Sequence, residues 1–233
     1  ARPNYTLEES YPAEHIRAYT EKTLQNLKQE TIDLMQFHTW DEGWSNREEW
    51  QRTVEDLKKE GKIGAMGISM NRWEPENGIE ALETGFIDAV QVIYNIFDQA
   101  PKDRLFPFCE ANDIAVIARV PFDEGTLTGS ITRESTFPEG DWRGTYFVAE
   151  NLNASADRAD LLRPLIPEDS DMATLALRFI LENKTVGTII PGMRKQRNVL
   201  ANTKCSDGVP MDAELYAKLR THRWDRKPTT WSQ

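Results

Sequence analysis

Short apolar runs alternate along this chain with segments that carry apolar residues at helical spacing, and this alternation constrains the fold more than any other feature. Five runs have the length and composition of buried strands, and they cover residues 32–37, 62–69, 86–95, 114–120 and 186–190. Nearly continuous apolar runs of this length are typical of parallel strands covered on both faces. The strand-helix unit recurs at intervals of roughly 25 to 30 residues. The order therefore predicts an α/β fold built on a parallel sheet.

Helices are predicted where apolar residues recur every three or four positions. This pattern gives helices over about 12–28, 50–57, 75–85, 105–109, 172–179 and 212–220. Ser45 and Glu48 have the spacing of a capping box, in which two side chains satisfy backbone donors at a helix start. Between Val120 and Met172 no such pattern is evident, and we expect an irregular segment there.

The composition excludes several classes of function. Asp and Glu total 38 against 28 for Lys and Arg, and the net charge of −10 argues against binding to nucleic acid or to an anionic membrane surface. No apolar run reaches the ~18 residues of a transmembrane helix. Two cysteines, Cys109 and Cys205, are too few for a disulfide framework and favour a reducing cytoplasm. Three scattered histidines lack metal-ligand spacing, so no metal site is predicted.

Polar residues stand where the predicted strands end. His38, Ser69, Gln91 and Arg119 occupy such positions, and so does the segment 191–195. Ligands of parallel α/β folds bind outside the carboxyl ends of the strands, so we expect the functional site at this edge of the sheet. Taken alone, a strand-end histidine is more often structural, a glycine pair is often only a turn, and two adjacent basic residues usually form a solvated surface.

Five motifs in a fixed order make the prediction more specific. They are Ile32-Asp33-Leu34 leading to His38, Gly61-Lys62-Ile63 leading to Gly67-Ile68-Ser69, Gln91-Val92-Ile93-Tyr94-Asn95, Pro121 with Gly125-Thr126-Leu127-Thr128-Gly129, and Ile190-Pro191-Gly192 with Arg194. In this order the chain resembles the aldo-keto reductase family over essentially its whole length. The resemblance implies a (β/α)8 TIM barrel, with residues 1–233 as one barrel domain that lacks its first three βα units.

The resemblance also implies a reaction. Members of the family transfer hydride from NADPH to a carbonyl, while a tyrosine, assisted by a lysine and an aspartate, protonates the forming alkoxide and a histidine completes the set. His38 matches the family histidine, whereas Tyr5 and Tyr11 lack the motif of the tyrosine. Two function classes stay open. One is an NADP(H)-dependent oxidoreductase acting on a small-molecule carbonyl or alcohol, and the other is a non-catalytic nucleotide-binding regulatory relative or an inactive fragment.

The nicotinamide end of the cofactor would be held at the strand ends. The resemblance implies that Ser69 and Gln91 bond the carboxamide, which carries one acceptor and two donor hydrogens. Met70 stands where the family often has an asparagine, and Asn71 is the nearest substitute. Arg119 replaces an aromatic residue that often stacks on the nicotinamide, and a planar guanidinium can also stack.

The remainder of the cofactor would lie along two loops. The first would wrap the pyrophosphate with backbone N–H groups and contains Pro121, Phe122, Gly125, Leu127 and Gly129. The second follows the last strand and contains Gly192, Arg194, Lys195, Asn198 and Asn202. The resemblance implies that its basic residues bind the 2′-phosphate, which favours NADPH over NADH, and that its asparagines contact the adenine.

Two further expectations concern the substrate and the extent of the chain. Trp40 is the tryptophan expected to line a substrate pocket. Five predicted strands fall short of the eight that close such a barrel, so about 90 residues that carry the tyrosine, lysine and aspartate are expected to lie upstream of Ala1.

Overall fold

The computed structural model of the protein describes residues 11–38, 40–71 and 74–226. The strands in these residues are β1 Ile32–Phe37, β2 Ile63–Ser69, β3 Ala89–Ile93, β4 Ala115–Arg119 and β5 Val186–Ile189. They are parallel and form one sheet in the order β1-β2-β3-β4-β5. The five predicted strands and the parallel α/β class are confirmed.

The helices alternate with these strands along the chain. Their bounds are α1 Ala13–Leu27, α2 Glu48–Lys59, α3 Ile79–Glu83, α4 Leu105–Ala111, α5 Arg143–Tyr146, α6 Ala149–Leu162, α7 Met172–Leu181, α8 Gln196–Thr203 and α9 Ala213–Arg220. Short 3₁₀ helices lie between them, including Glu42–Trp44 and Asp123–Thr128. Every helix predicted from periodicity is present.

Two predictions about local structure were wrong. Between Val120 and Met172 the chain is not irregular throughout, because α6 fills 14 residues of it. Its buried face includes Asn151, Ser155 and Ala159, and small or polar residues give a weak apolar signal. The capping box at Ser45 does not form either. Ser45 instead donates its backbone N–H to Glu42 O over 3.0 Å at the end of a 3₁₀ helix, and α2 starts after Arg47 without a side-chain cap.

The described residues fall into two compact units. The first consists of Ala1–Val92 with Arg104–Val116. One face of its strands is formed by Met66, Ile68, Val90 and Val92, each at most 1% exposed, and α2 packs against β2. Full burial of such a side chain contributes about 1.5–3 kcal/mol before the entropy cost is subtracted. The opposite face of these strands is therefore the one that remains for polar side chains.

An aromatic cluster follows β1 in the first unit. Trp40, Trp44 and Trp50 are all less than 9% exposed, and the ring of Trp40 meets the other two edge-on at 5.9 and 5.6 Å. Tyr11 and Phe37 complete the cluster, with their ring centres 4.1 Å apart. The Trp50 indole N–H donates to the Trp44 carbonyl over 2.7 Å, which fixes the turn that begins α2.

The second unit consists of Ile93–Asp103 with Ile117–Gln233. Its most buried helix is α7, which begins where the Asp171 carboxylate accepts the Thr174 backbone N–H over 2.7 Å. Phe179 of α7 stacks on Tyr94 with ring centres 5.8 Å apart. A smaller apolar cluster lies around α5 and the start of α6 and contains Ile131, Phe137, Tyr146, Phe147 and Leu152.

Candidate cofactor site

Backbone hydrogen bonds join the residues that follow β1 and β2 to the neighbouring strands in the first unit. Ser69 stands beside Gln91 in the register, the Trp40 N–H donates to the Ser69 carbonyl over 3.0 Å, and the Met70 N–H donates to the Gln91 carbonyl over 2.8 Å. His38 directly follows β1 and is exposed. The structure therefore places His38 and Ser69 at the carboxyl ends of β1 and β2, and Gln91 beside Ser69 in the middle of β3.

A pair of amide side chains lies on the same sheet face. Gln91 Nε2 donates to Gln36 Oε1 over 3.1 Å, across the intervening strand β2. Gly67 makes room for this pair, since a Cβ at that position would lie 3.1 Å from Gln36 Cγ. Sequence reasoning missed Gln36. The two-residue period of a strand could have found it, because Gln36 precedes the candidate His38 by two positions and residues at that spacing share a face.

The residues after Ser69 turn away from a ligand. Met70 is 0% exposed, and its Sδ would lie 2.6 Å from a Cβ at Gly78, so its side chain fills the core near that glycine. Asn71 bonds Glu74 twice: its Oδ1 accepts the Glu74 N–H over 2.9 Å, and its Nδ2 donates to Glu74 Oε2 over 3.1 Å. The amide of Asn71 is thus held in a local turn.

The tyrosines near these strands are poorly suited to supply a proton. Burial raises the pKa of Tyr11, which lies in the aromatic cluster. Burial also raises the pKa of Tyr94, whose hydroxyl accepts the Asn183 Nδ2–H over 3.4 Å. Tyr5 lies outside the described residues. Trp40 is 2% exposed within the same cluster and has little accessible surface for a substrate. Its expected role in a substrate pocket stays a prediction.

The glycine loop, defined as Phe122–Gly129, lies in the second unit after β4. Its backbone is left-handed at Asp123, Glu124, Gly125 and Gly129, with φ of 45°, 57°, 116° and 74°. Glycine adopts such angles without strain, which accounts for Gly125 and Gly129 but not for the other two residues. Pro121 and Leu127 are buried, whereas Phe122 and Arg119 are half-buried.

The backbone donors of the glycine loop are largely engaged within it. Gly125 and Leu127 donate to the Phe122 carbonyl, each over 2.9 Å, and Gly129 donates to the Thr126 carbonyl over 3.1 Å. These three N–H groups are therefore not directed at a pyrophosphate. The Thr126 hydroxyl is buried and has no hydrogen-bond partner among the described residues, which makes it a candidate ligand donor that sequence reasoning missed.

The segment after β5 presents positive charge, also in the second unit. Arg194 and Lys195 are exposed and form no ion pair with residues 11–38, 40–71 or 74–226. Asn198 donates its backbone N–H to the Lys195 carbonyl over 2.8 Å at the start of α8. Asn202 Nδ2 donates to the Gly192 carbonyl over 3.4 Å, so the helix holds the loop that precedes it.

Other kinds of site find no support in the part of the chain that the structure describes. That part contains no group of three or more His, Cys, Asp or Glu residues able to hold a metal ion. None of its helices combines the length and the apolar character needed to cross a membrane.

Five parallel strands in one sheet, alternating with helices along the chain, define an α/β protein of the TIM-barrel class. Comparison with known proteins makes this specific. The sequence profile of the Aldo/keto reductase family matches residues 3–223. The chain therefore belongs to the aldo-keto reductase family.

The relatives of the chain are oxidoreductases. The NADH-specific methylglyoxal reductase of Escherichia coli (strain K12) is 30% identical over 193 residues, which are 81% of this chain and 58% of that protein. The oxidoreductase YqkF of Bacillus subtilis (strain 168) is 27% identical over 89% of this chain and 65% of its own length. The chain thus spans about three fifths of the length of these curated relatives.

Solved structures show the same fold. Aldo-keto reductase AKR11C1 from Bacillus halodurans, in its holo form, matches 95% of this chain and 69% of its own with a TM-score of 0.74 and 26% identity. The glycerol dehydrogenase AKR11B4 from Gluconobacter oxydans matches 94% of this chain and 67% of its own with a TM-score of 0.77 and 25% identity.

Proposed function

We propose that the protein is an NADP(H)-dependent oxidoreductase that interconverts a small carbonyl compound and its alcohol. The observation that carries this proposal is the placement of His38 and Ser69 at adjacent strand ends, with Gln91 beside Ser69 in β3, in an aldo-keto reductase fold. The names of two similar proteins, a methylglyoxal reductase and a glycerol dehydrogenase, favour small, oxygen-rich substrates over bulky ones. An aldehyde, a ketone or a sugar fits this class.

Ser69 and Gln91 are proposed to hold the nicotinamide carboxamide. Because one N–H of Gln91 Nε2 is bonded to Gln36, the side-chain oxygen Oε1 of Gln91 is proposed as the atom of that amide that faces a ligand. A carbonyl oxygen accepts from the carboxamide NH₂, and the Ser69 hydroxyl can donate to the carboxamide oxygen. Gln36 therefore sets the orientation of Gln91. The bound nicotinamide supplies or accepts the hydride.

His38 is proposed to orient the substrate carbonyl. Its position directly after β1 ties it to a rigid strand end, and its exposure leaves it accessible to a small molecule. A hydrogen bond from the imidazole to the carbonyl oxygen stabilises the negative charge that develops there as hydride arrives. Tyr11 and Tyr94 are buried with raised pKa values, so the proton for that oxygen is not assigned to either of them.

The pyrophosphate of the cofactor is proposed to lie at the glycine loop, and the 2′-phosphate and adenosine along the segment after β5. Arg194 and Lys195 carry two exposed charges without carboxylate partners among the described residues, which suits the dianionic 2′-phosphate of NADP(H). Asn198 and Asn202 are proposed to contact the adenine, Gly192 is proposed to bind the cofactor in the same segment, and Arg119 is proposed beside the nicotinamide. One similar protein is named as NADH-specific, so the preference for NADP(H) needs its own test.

A non-catalytic nucleotide-binding relative is the second candidate. It is favoured by the lack of an accessible tyrosine at a strand end among the described residues. Titrating the protein with NADPH and NADH, then following absorbance at 340 nm with methylglyoxal, glyceraldehyde and simple ketones, separates the two. Turnover supports the oxidoreductase, binding without turnover supports the relative, and binding of neither cofactor refutes both.

The surroundings of the protein are also proposed. Cys109 and Cys205 are buried free thiols, which is the form expected in a reducing cytoplasm. With a net charge of −10, the protein is proposed to act on a small molecule and not to bind nucleic acid or a membrane.

A further inference from the structure

The conformation of the glycine loop requires an external support. Asp123 and Glu124 are left-handed although neither is glycine, and Val120 just before the loop has a φ of 53°. Such conformations persist only where surrounding contacts over-determine them. Contacts from outside the loop therefore add to its internal hydrogen bonds.

Arg226 is the principal contact on Asp123. Its Nη2 donates to Asp123 Oδ1 and to Asp98 Oδ2, each over 2.7 Å, and its Nη1 donates to the Tyr146 hydroxyl over 3.2 Å. The Arg226 side chain is 2% exposed and that of Asp123 is 0% exposed. One guanidinium therefore joins the glycine loop to the segment after β3 and to α5, all within the second unit.

The remaining contacts hold Arg226 and the same backbone in place. Trp224 lies beside the Arg226 guanidinium at 4.4 Å, and Arg158 of α6 lies 4.3 Å from the same ring. The Trp224 N–H donates to the Phe97 carbonyl over 2.8 Å. Asn95 supplies a second support, since its Nδ2 donates to Val120 O and to Asp98 Oδ2, each over 3.0 Å.

The charges around Arg226 keep its guanidinium protonated. Burial favours a lower pKa for Arg226, but the carboxylates of Asp123 and Asp98 outweigh it and raise the pKa above the ordinary value. The guanidinium stays charged, and removing it would leave two carboxylates close together with little solvent. Loss of one partner from a buried charge cluster is strongly unfavourable, so the loop would have to rearrange.

We propose that Arg226 is a positioning residue for the cofactor, which it does not touch: it holds the left-handed shape of the glycine loop, whose remaining donors, the buried Thr126 hydroxyl among them, would receive the pyrophosphate. This inference rests on the proposed function, which assigns the pyrophosphate to that loop. The C-terminal segment thereby sets the affinity for the dinucleotide through a buried ion pair and not through a direct contact.

The test compares Arg226→Gln and Arg226→Lys with Arg223→Gln in the full chain. Arg223 is the matched control, because it makes paired hydrogen bonds to Asp103 in the same segment but has no bond to the glycine loop. NADPH affinity is measured by fluorescence titration, and the probes 2′-phospho-ADP-ribose and reduced nicotinamide mononucleotide separate the pyrophosphate from the nicotinamide. Thermal unfolding monitors the fold.

We expect Arg226→Gln to lower the affinity for NADPH and for 2′-phospho-ADP-ribose by the same factor, at least about tenfold. Binding of nicotinamide mononucleotide should not change, Arg226→Lys should restore part of the loss, and Arg223→Gln should bind all three probes normally. A folded Arg226→Gln protein with wild-type affinity for both pyrophosphate probes would overturn the inference. If Arg226→Gln does not fold, the same comparison is decided by Arg226→Lys.

Hydrogen exchange separates this inference from the proposed function. If the wild-type protein binds no dinucleotide, the proposed function fails, but protection of the Asp123–Gly129 amides still reports the shape of the loop. Faster exchange there in Arg226→Lys, with unchanged exchange in α7, supports the role of Arg226. Equal exchange in both proteins overturns it.

Discussion

Adding a single methyl group at Gly67 tests the packing beneath the candidate nicotinamide site. A Cβ there would lie 3.1 Å from Gln36 Cγ, 3.2 Å from the Ala89 carbonyl oxygen and 3.4 Å from Leu34 Cδ1. Gln36 can move only by weakening its bond to Gln91, and the carbonyl belongs to the adjacent strand backbone. Overpacking of this kind costs about 1–3 kcal/mol, against a gain of about 0.5–1 kcal/mol from replacing glycine in a strand.

The expected net loss in Gly67→Ala is therefore about 1 kcal/mol, or roughly 2–4 °C in Tm for a chain of 233 residues. NADPH affinity should fall as well, because the displaced Gln36 no longer orients Gln91. Thermal unfolding by circular dichroism and fluorescence titration measure the two effects. Adding Gln36→Ala should recover part of the lost stability, since it removes the contact at 3.1 Å but leaves the contact with the backbone carbonyl.

Gly144→Ala is the matched control for this substitution. Gly144 lies in α5, and a Cβ there would meet only Phe137 Cβ at 3.9 Å, which is an ordinary contact. This variant should unfold at the wild-type temperature or slightly above it. A Gly67→Ala protein that is more stable than wild type and binds NADPH equally well would refute the argument that Gly67 is required for space.

The other predictions concern single polar side chains. Arg194→Ala should weaken NADPH binding about tenfold and leave NADH binding unchanged, because it removes one charge-assisted bond at an exposed site. Lys184→Ala, at the other end of β5, should change neither affinity. Equal losses for both cofactors would contradict the phosphate assignment. His38→Ala should lower kcat by at least about tenfold with a Tm within about 2 °C of wild type, and an unchanged kcat would remove His38 from the reaction. Burial and, secondarily, Arg158 lower the pKa of His222. The unfolded chain therefore protonates His222 more readily than the folded chain does. The stability that the protein has above the ordinary histidine pKa is lost as the pH falls through that pKa. His222→Gln should show a smaller loss of Tm than wild type between pH 7 and pH 5, and an identical pH profile would exclude His222 as the cause.

Local patterns in the sequence were sufficient for the strands and for placing the candidate residues along them. A buried parallel strand is a short apolar run, so all five strands could be predicted without knowledge of their partners. Strand ends follow from the same runs, which is why His38, Ser69 and Gln91 were predicted at one edge. The helix α7 was predicted from the helical spacing of apolar residues, and its buried face includes Leu175 and Phe179.

Local patterns failed where a structure is stabilised by unusual neighbours. The helix α6 buries Asn151 and Ser155, and Asn151 Nδ2 donates to the Tyr146 carbonyl over 2.8 Å, so its inner face does not look apolar in sequence. The Ser45 and Glu48 pair matched a capping box, but the burial of Trp50 against the Trp44 carbonyl determined the turn instead. In both cases a contact of the folded state outweighed the local preference.

The sequence by itself determined the strand order along the chain and the residue types at the strand ends, because both follow from periods of a few residues. Only the tertiary structure decided which side chains meet. Gln36 and Gln91 are 55 positions apart, and Asp123 and Arg226 are 103 apart, yet each pair is joined by a hydrogen bond. Such pairings depend on sheet register and on burial of charge, which no local period encodes. The contacts that orient the candidate ligands therefore come from the fold, whereas the candidate ligands themselves can be read from the sequence.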